Sequence, residues 1–340
     1  MNRRIGLTAL GIAVLCGSLA TGGWAFTEQS ESPGASASKV KPKRFDSARQ
    51  LRIQGVGGSL QNPCFSPDGT RLVVTQWKRR YNEGLADVLL IDRTSGRKLL
   101  TLSDPGATSV NMPGSCWNAS TDRIVYASEV DAPDSPFSVD PDGTDRRLVI
   151  LRDGRIGIEP TISPDGQWIV FQDGPYDAEG LNAIYKVRVD GTELQQLTSG
   201  HNDTQPNWSP RGDKIVFQRQ RGERLDEEKP WDVYTVDPNG ENLVNVTRTR
   251  RLSETDVSWA PSGRFLVFSS DGPGIQVAAL FAIAEDGSRR TKITRTRGWY
   301  DGAPSWAPDG RSIAFEARRG DPDESPGTRI YFVKAPRRMR

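Results

Sequence analysis

The stretch PSWAPDGRSIAF at residues 304–315 decides the fold of this 340-residue chain. Its Ala-Pro-Asp-Gly segment is typical of a type I turn, in which proline presets φ at the second position and glycine supplies a left-handed residue. That geometry lets two antiparallel strands pair with a bulge at the turn. The tryptophan before the turn and the Ile-x-Phe pattern after it therefore predict a β-hairpin.

The same pattern occurs six times, with a degenerate copy at 116–119. One large residue marks each copy: Phe65, Trp117, Ile162, Trp208, Trp259 and Trp306. Neighbouring markers are 45 to 52 residues apart, and most units continue with a third strand, an Asp-Gly or Asn-Gly turn and a short fourth strand. Units of this length with four strands predict an all-β, six-bladed propeller of antiparallel blades.

The two ends of the repeat array differ from the other units. The sixth unit stops after its third strand at Val333, and an unpaired strand pattern at 51–53 precedes the first unit. We therefore expect the N-terminal strand to complete blade 6. This would close the ring and remove two free sheet edges.

The order of the W-S-P-D-G turn, I-x-F strand, I-Y strand, D-G turn and L-T strand resembles the TolB-like repeat family. The resemblance covers about 290 residues. It implies the six-bladed propeller of the periplasmic Tol-Pal component, and a protein that binds a protein or peptide of the cell envelope. TolB proper has an α/β domain before its propeller, for which this sequence leaves no room, so the partners of that domain are not implied.

The first 45 residues are predicted to lie outside the propeller. Arg3 and Arg4 precede an apolar run over 5–20, and 23–25 reads Gly-Trp-Ala, an A-x-A-like cleavage site. We predict a signal peptide over 1–25, a flexible Ser/Pro/Lys-rich tether over 26–45 and a propeller over 46–340. The mature protein would be a periplasmic or secreted monomer without a transmembrane segment. Retention of 1–25 as an anchor and lipidation of Cys16 are the alternatives.

Charge and histidine content narrow the function. The chain has 45 Lys and Arg against 43 Asp and Glu, a net charge of +2, too small for the positive field that nucleic-acid binding needs. Its single histidine, His201, excludes every three-histidine metal site. We therefore expect no nucleic-acid partner, and we predict no cofactor.

One loop position breaks the symmetry of the repeat. Five to seven residues before the marker, blades 4 to 6 carry acidic or aromatic side chains: His201, Asp203, Glu254, Trp299, Tyr300 and Asp301. The first three blades have Leu60, Met112 and Gly157 at the acidic position. Loops at one end of a rigid scaffold commonly bind partners, so we predict a partner site on one side of the channel rim. The alternative is an ordinary polar entry loop whose aromatic residues cap a neighbouring loop.

Two cysteines directly precede the markers of adjacent units. Cys64 and Cys116 would both lie on innermost strands, and an exported protein favours a disulfide between them. A bridge needs Cα atoms about 4.4–6.8 Å apart, so two separate buried thiols remain the alternative.

Two functions fit this sequence. The first is a non-catalytic scaffold that binds an envelope protein or peptide. The second is a propeller enzyme of the metal-dependent lactonase or hydrolase type, with calcium held by carboxylate and amide oxygens at the channel mouth. The acids at the entry loops have no amide residues at obvious complementary positions, so the sequence favours the scaffold.

Overall fold

The computed structural model describes residues 47–107, 110–111, 116–129, 135–149, 157–173, 181–222, 229–273, 275–295, 298–320 and 327–339. The predicted signal peptide (1–25) and tether (26–45) lie outside these residues. Within them, 24 strands form six four-stranded antiparallel sheets, each one blade of a propeller. Among these residues, no helix has the length and apolar character needed to span a bilayer.

Each blade begins with its innermost strand. A short N-terminal strand precedes them all: β1 (Arg49–Gln50). Blades 1 to 3 contain β2 (Ser59–Phe65), β3 (Arg71–Trp77), β4 (Ala86–Asp92), β5 (Lys98–Thr101); β6 (Val110–Asn111), β7 (Ile124–Ser128), β8 (Ser135–Val139), β9 (Arg147–Leu148); β10 (Ile158–Ile162), β11 (Trp168–Asp173), β12 (Ala183–Arg188), β13 (Gln195–Gln196).

Blades 4 to 6 follow the same order. They contain β14 (Asp203–Trp208), β15 (Ile215–Gln220), β16 (Trp231–Val236), β17 (Val244–Asn245); β18 (Ser253–Trp259), β19 (Phe265–Gly272), β20 (Ile275–Ala284), β21 (Thr291–Lys292); β22 (Trp299–Trp306), β23 (Ser312–Arg319), β24 (Arg329–Lys334). The 3₁₀ turn Arg337–Met339 follows β24. The predicted six-bladed fold is therefore confirmed.

The repeated turn forms for local reasons. In blade 1, Ser66 Oγ accepts the Arg71 N–H at 2.9 Å and donates to Asp68, and the Thr70 N–H also donates to Asp68. The hydrogen bond from Ser66 is the main cause that lowers the pKa of Asp68 to about 2. Gly69 closes the turn with φ of 70°. The turn aspartate is thus a structural acceptor.

Apolar cores fill the spaces between neighbouring blades. The marker tryptophans are buried, with Trp306 only 5% exposed beside Val267 and Phe315. Burying such a ring removes roughly 150–250 Å² from water, which makes it a large contribution to the core. The marker position is therefore a core position in each unit.

The N-terminal strand closes the ring as predicted. β1 pairs antiparallel with β24, with Arg49 opposite Phe332 and Gln50 opposite Tyr331. The Leu51 N–H donates to the Ile330 carbonyl at 2.8 Å. The pairing begins two residues before the predicted 51–53 segment, and it makes blade 6 four-stranded.

Blades 1 and 2 are also joined covalently. Cys64 and Cys116 form a disulfide, with Cα atoms 5.9 Å apart. Both residues are buried. Of the two alternatives that the sequence left open, the structure has the bridge.

Candidate functional site

A bulge interrupts the innermost strands at one repeated position, three residues before the marker. The residues there have φ between 42° and 55°: Asn62, Glu159, Gln205, Asp256 and Ala303. Each bulge residue is half-buried and is followed by a buried residue, and all except Asp256 are also preceded by one. Glu and Gln rarely adopt this left-handed conformation, which costs on the order of 1–3 kcal/mol and persists only where its surroundings fix it. The equivalent residue of blade 2, Gly114, lies outside the described residues.

Side chains from the preceding blade fix this conformation. The Gln205 N–H donates to Gln172 Oε1 at 3.1 Å, and the Asp256 N–H donates to Gln218 Oε1 at 2.9 Å. Each acceptor directly follows the Phe of an I-x-F strand. The same relation joins blade 6 to blade 1, where Glu316 Oε2 accepts the Asn62 N–H at 3.3 Å. Asn62, Gln205 and Asp256 are therefore held between blades, around the propeller axis.

Polar side chains of blades 3 to 5 form a continuous chain at the axis. Gln205 Nε2 donates to Glu159 Oε1 at 3.1 Å, while Gln205 Oε1 accepts the Asp256 N–H at 3.1 Å. Asp256 Oδ2 in turn accepts the Ala303 N–H of blade 6 at 3.3 Å. The Gln205 amide thus connects the Glu159 carboxyl group to the backbone of Asp256.

A third carboxyl group lies where blade 6 meets blade 1. Glu316 Oε1 accepts from the hydroxyls of Tyr81, at 3.0 Å, and Tyr300, at 3.3 Å. The two rings meet edge to face with centroids 6.1 Å apart. A Cβ atom at Gly302 would lie 2.3 Å from the Tyr300 hydroxyl oxygen, so glycine is needed for the ring to take this position. We call Glu159, Asp256 and Glu316 the axial acids.

Burial controls the charge of the axial acids. Loss of hydration raises the pKa of Glu159 to about 8 and that of Glu316 to about 8, and the nearby Asp256 carboxyl adds to both shifts. Burial also raises the pKa of Asp256. Within the described chain, none of the three has an ion-pair partner, and Glu159 Oε2 is a buried oxygen without a hydrogen-bond donor. Perturbed carboxyl groups of this kind concentrate at functional sites.

The predicted entry-loop acids have different surroundings. Asp203 is fully buried and receives two hydrogen bonds from Arg219, Nε at 2.6 Å and Nη2 at 2.7 Å. Glu254 is also buried and pairs with Arg290 at 3.0 Å. Burial nevertheless raises the pKa of Glu254, against the opposing effect of Arg290. Both acids are neutralised within their own blades.

The other predicted site residues are spread over different surroundings. Asp301 is buried, and its carbonyl accepts from Ser269 Oγ at 2.8 Å. His201 Nδ1 lies 3.1 Å from the Gly222 carbonyl oxygen. Trp299 is half-buried, edge to face with Tyr331 at 5.8 Å.

Among the six predicted residues, Tyr300 alone belongs to the cluster around an axial acid. A partner-binding role for the set as a whole stays a prediction.

A family-level comparison agrees with this architecture. A family model of the TolB beta propeller domain matches residues 34–227 and 116–301. The chain belongs to the TolB beta-propeller family. It is 29% identical over 206 residues to the uncharacterized protein Atu1656 of Agrobacterium fabrum, a match over 58% of this chain and 65% of the relative. The chain thus spans slightly less than two thirds of the curated relative that it matches.

Solved structures resemble this TolB-family propeller in fold. TolB from Acinetobacter baumannii has a TM-score of 0.55 at 16% identity, over 82% of this chain and 64% of that chain. A gluconolactonase from Xanthomonas campestris has a TM-score of 0.57 at 16% identity, over 86% and 91%. At such low identities these similarities establish the architecture alone.

Sequence reasoning missed the axial residues of this TolB-family member. The bulge residues occupy the first position of the x-P-x-W core, where four of the five described copies carry Asn, Glu, Gln or Asp. A polar residue that recurs inside an apolar strand was the available signal.

The described residues of the propeller contain no group of three or more His, Cys, Asp or Glu side chains placed to hold a metal ion. The prediction about calcium remains untested.

Proposed function

We propose that this TolB-family propeller is an exported, non-catalytic scaffold of the cell envelope that binds a segment of a protein or peptide at its axis. The proposal rests above all on the incomplete polar pairing of the axial residues. Glu159, Gln205 and Asp256 are half-buried and come from three consecutive blades, yet their mutual hydrogen bonds leave acceptor capacity unused. Buried polar groups normally find partners, so unused acceptors favour a ligand that supplies the donors.

The surroundings of the axis favour binding over acid–base catalysis by histidine. His201, the single histidine, contacts the Gly222 carbonyl and takes no part in the hydrogen bonds of the axial acids. The inter-blade hydrogen bonds from Gln172 and Gln218 hold the axial backbone in place before any ligand arrives. A preorganised surface loses less entropy when it binds a partner.

Site-specific photocrosslinking in the producing cells tests this proposal. A benzoylphenylalanine at Ala303, which is half-buried at the axis, should capture a protein or peptide from the envelope. The same group at Leu243, an exposed residue just before β17, is the matched control and should capture none of that partner.

Equal capture at both positions would overturn the proposal. So would the absence of capture together with metal-dependent hydrolysis of gluconolactone that an Asp256→Asn change abolishes. The second result would instead support the enzyme alternative suggested by the gluconolactonase fold.

A further inference from the structure

We propose that the axial acids form a recognition site for a primary ammonium group, supplied by a lysine side chain or a free amino terminus. The inference rests on the proposed function, because it names the chemical group that the bound segment would present at the axis. It concerns Glu159, Asp256 and the amide of Gln205, together with Glu316, which accepts hydrogen bonds from Tyr81 and Tyr300.

The fold holds these groups at fixed positions. Glu159, Gln205 and Asp256 stand at equivalent points of three consecutive innermost strands, joined through two hydrogen bonds of 3.1 Å. The left-handed backbones of Gln205 and Asp256 are fixed by hydrogen bonds from the preceding blade, so neither backbone can relax without losing those bonds. The propeller therefore keeps two acids around one polar residue at its axis.

The charges of these groups are not balanced by a cation of the described chain. Two buried carboxylates of blades 4 and 5, Asp203 and Glu254, have arginine partners. Within the described chain, no lysine or arginine pairs with Glu159, Asp256 or Glu316. Because a buried carboxylate is costly without an opposite charge, the site favours any cation that can enter.

One unsatisfied atom points to a donor from outside the chain. Glu159 Oε2 is buried and has no hydrogen-bond partner among the described residues, while Oε1 already accepts from Gln205. The last torsion of a glutamate side chain is broad, so a small rotation can present either oxygen to the axis. An incoming N–H group would satisfy this oxygen.

The arrangement fits an ammonium group better than a metal ion. Calcium takes six to eight oxygen ligands at about 2.3–2.6 Å, and the described residues contain no converging set of three acidic or metal-binding side chains. An ammonium group instead needs acceptors for three donors, at about 2.7–2.9 Å from carboxylates. Carboxyl oxygens on separate blades supply acceptors of this kind, and the rings of Tyr81 and Tyr300 lie close to Glu316.

Short peptides test the inference on the full mature chain. Ac-Gly-Lys-Gly-amide provides a lysine ammonium, Gly-Gly-Gly-amide provides a terminal ammonium, and Ac-Gly-acetyllysine-Gly-amide is the neutral counterpart of the first. Binding is measured by peptide-observed NMR. We expect one or both ammonium peptides to bind, which identifies the source, and the acetylated peptide to bind at least about tenfold more weakly.

Matched variants assign the binding to the axis. Glu159→Gln combined with Asp256→Asn keeps size and acceptor oxygens, and should weaken the ammonium peptide at least about tenfold. Glu241→Gln removes one exposed carboxylate at the β16–β17 turn and should leave binding unchanged. Circular dichroism and thermal melting show whether the double variant is folded, and Glu159→Gln alone replaces it if it is not.

Two results would overturn the inference. They are equal binding of the acetylated peptide, and undiminished binding by the folded axial variant. The failure of this inference is distinguishable from failure of the proposed function. If the Ala303 crosslinker still captures its partner in the axial double variant, the scaffold proposal stands and the ammonium site does not. If the lysine peptide binds but no envelope partner is captured, the ammonium site stands and the scaffold proposal does not.

Discussion

Two acids lie two residues apart on the same innermost strand, one an entry-loop acid and the other an axial acid, yet they have opposite partners. Glu254 of β18 pairs with Arg290, whereas Asp256 accepts hydrogen bonds from neutral groups. In a regular strand, residues i and i+2 share a face. The register shift between Thr255 and Ser258 separates them, so one acid stays within its blade and the other faces the axis.

The entry-loop acids Asp203 and Glu254 are paired with arginine within the fold, whereas the axial acids remain available to a ligand. Asp203 receives both hydrogen bonds of an arginine fork, the strongest pairing open to a carboxylate. Glu159 receives one bond from an amide and keeps a bare oxygen. The first acid should stabilise the blade through its partner, whereas the second should lower stability unless a ligand compensates it.

The largest effect is expected from breaking an entry-loop pair. Arg219→Met removes the cation from buried Asp203 and should lower the free energy of unfolding by about 3–5 kcal/mol. Urea denaturation at pH 7 measures this loss. Adding Asp203→Asn should recover more than half of it, because the unpaired charge is then absent. A loss below about 1 kcal/mol would mean that the pair does little for stability.

The next effect is a pH dependence that comes from Glu316. Its folded pKa of about 8 exceeds the ordinary 4.5, so the unfolded chain releases this proton first as the pH rises. The stabilisation is complete below about pH 4.5 and is lost progressively up to about pH 8. Tyr81, Tyr300 and Asp256 face this carboxyl group, and none is a cation at these pH values.

Glu316→Gln should therefore make stability less dependent on pH, with a gain of about 2 kcal/mol at pH 8.5 relative to pH 5. Thermal melting across this range, against wild type, measures the change. Parallel profiles for the two proteins would contradict a raised pKa at Glu316.

Glu159→Gln should have the same sign and a smaller size. Glu159 is half-buried, so solvent reduces the cost of its charge, and we expect a gain of about 1 kcal/mol at pH 8.5. Urea denaturation at pH 5 and pH 8.5 provides the comparison. Destabilisation at both pH values would show that the carboxylate itself is needed by the fold.

The smallest effect is expected at the surface. Glu241→Gln, in an exposed turn of blade 4, should change stability by no more than about 0.5 kcal/mol at either pH. The same denaturation series measures it. A larger change would mean that removal of any negative charge alters stability. The contrast between the entry-loop acids and the axial acids would then be contradicted.

The sequence predicted the fold because each unit repeats its own turn chemistry. The marker Trp306, its Ala-Pro-Asp-Gly turn and the following Ile-x-Phe strand are local signals that recur with little change. Ring closure followed from counting strands, but its register began two residues early. The closing pairing depends on contacts of β1 with the distant Tyr331 and Phe332, which no local pattern specifies.

The axial site was hidden by backbone geometry. Simple alternation places positions three and five before the marker on one face, so Asp203 and Gln205 read alike. Residue type gives no warning of φ near 54° at Glu159 or Gln205. Pairing was hidden too, since Arg290 lies 36 residues beyond Glu254. The disulfide remained open for a similar reason, because only the spacing of two blades decides it.

The central claim is that the axial acids lack a cation and are ready to accept one. Carbon-detected NMR of the glutamate carboxyl groups tests it most directly, with Glu159→Gln and Glu316→Gln assigning the two signals. We predict that both titrate near pH 8 in the free protein, and that the lysine peptide lowers the midpoint of Glu159. Midpoints near the ordinary 4.5 that the peptide does not move would contradict the claim.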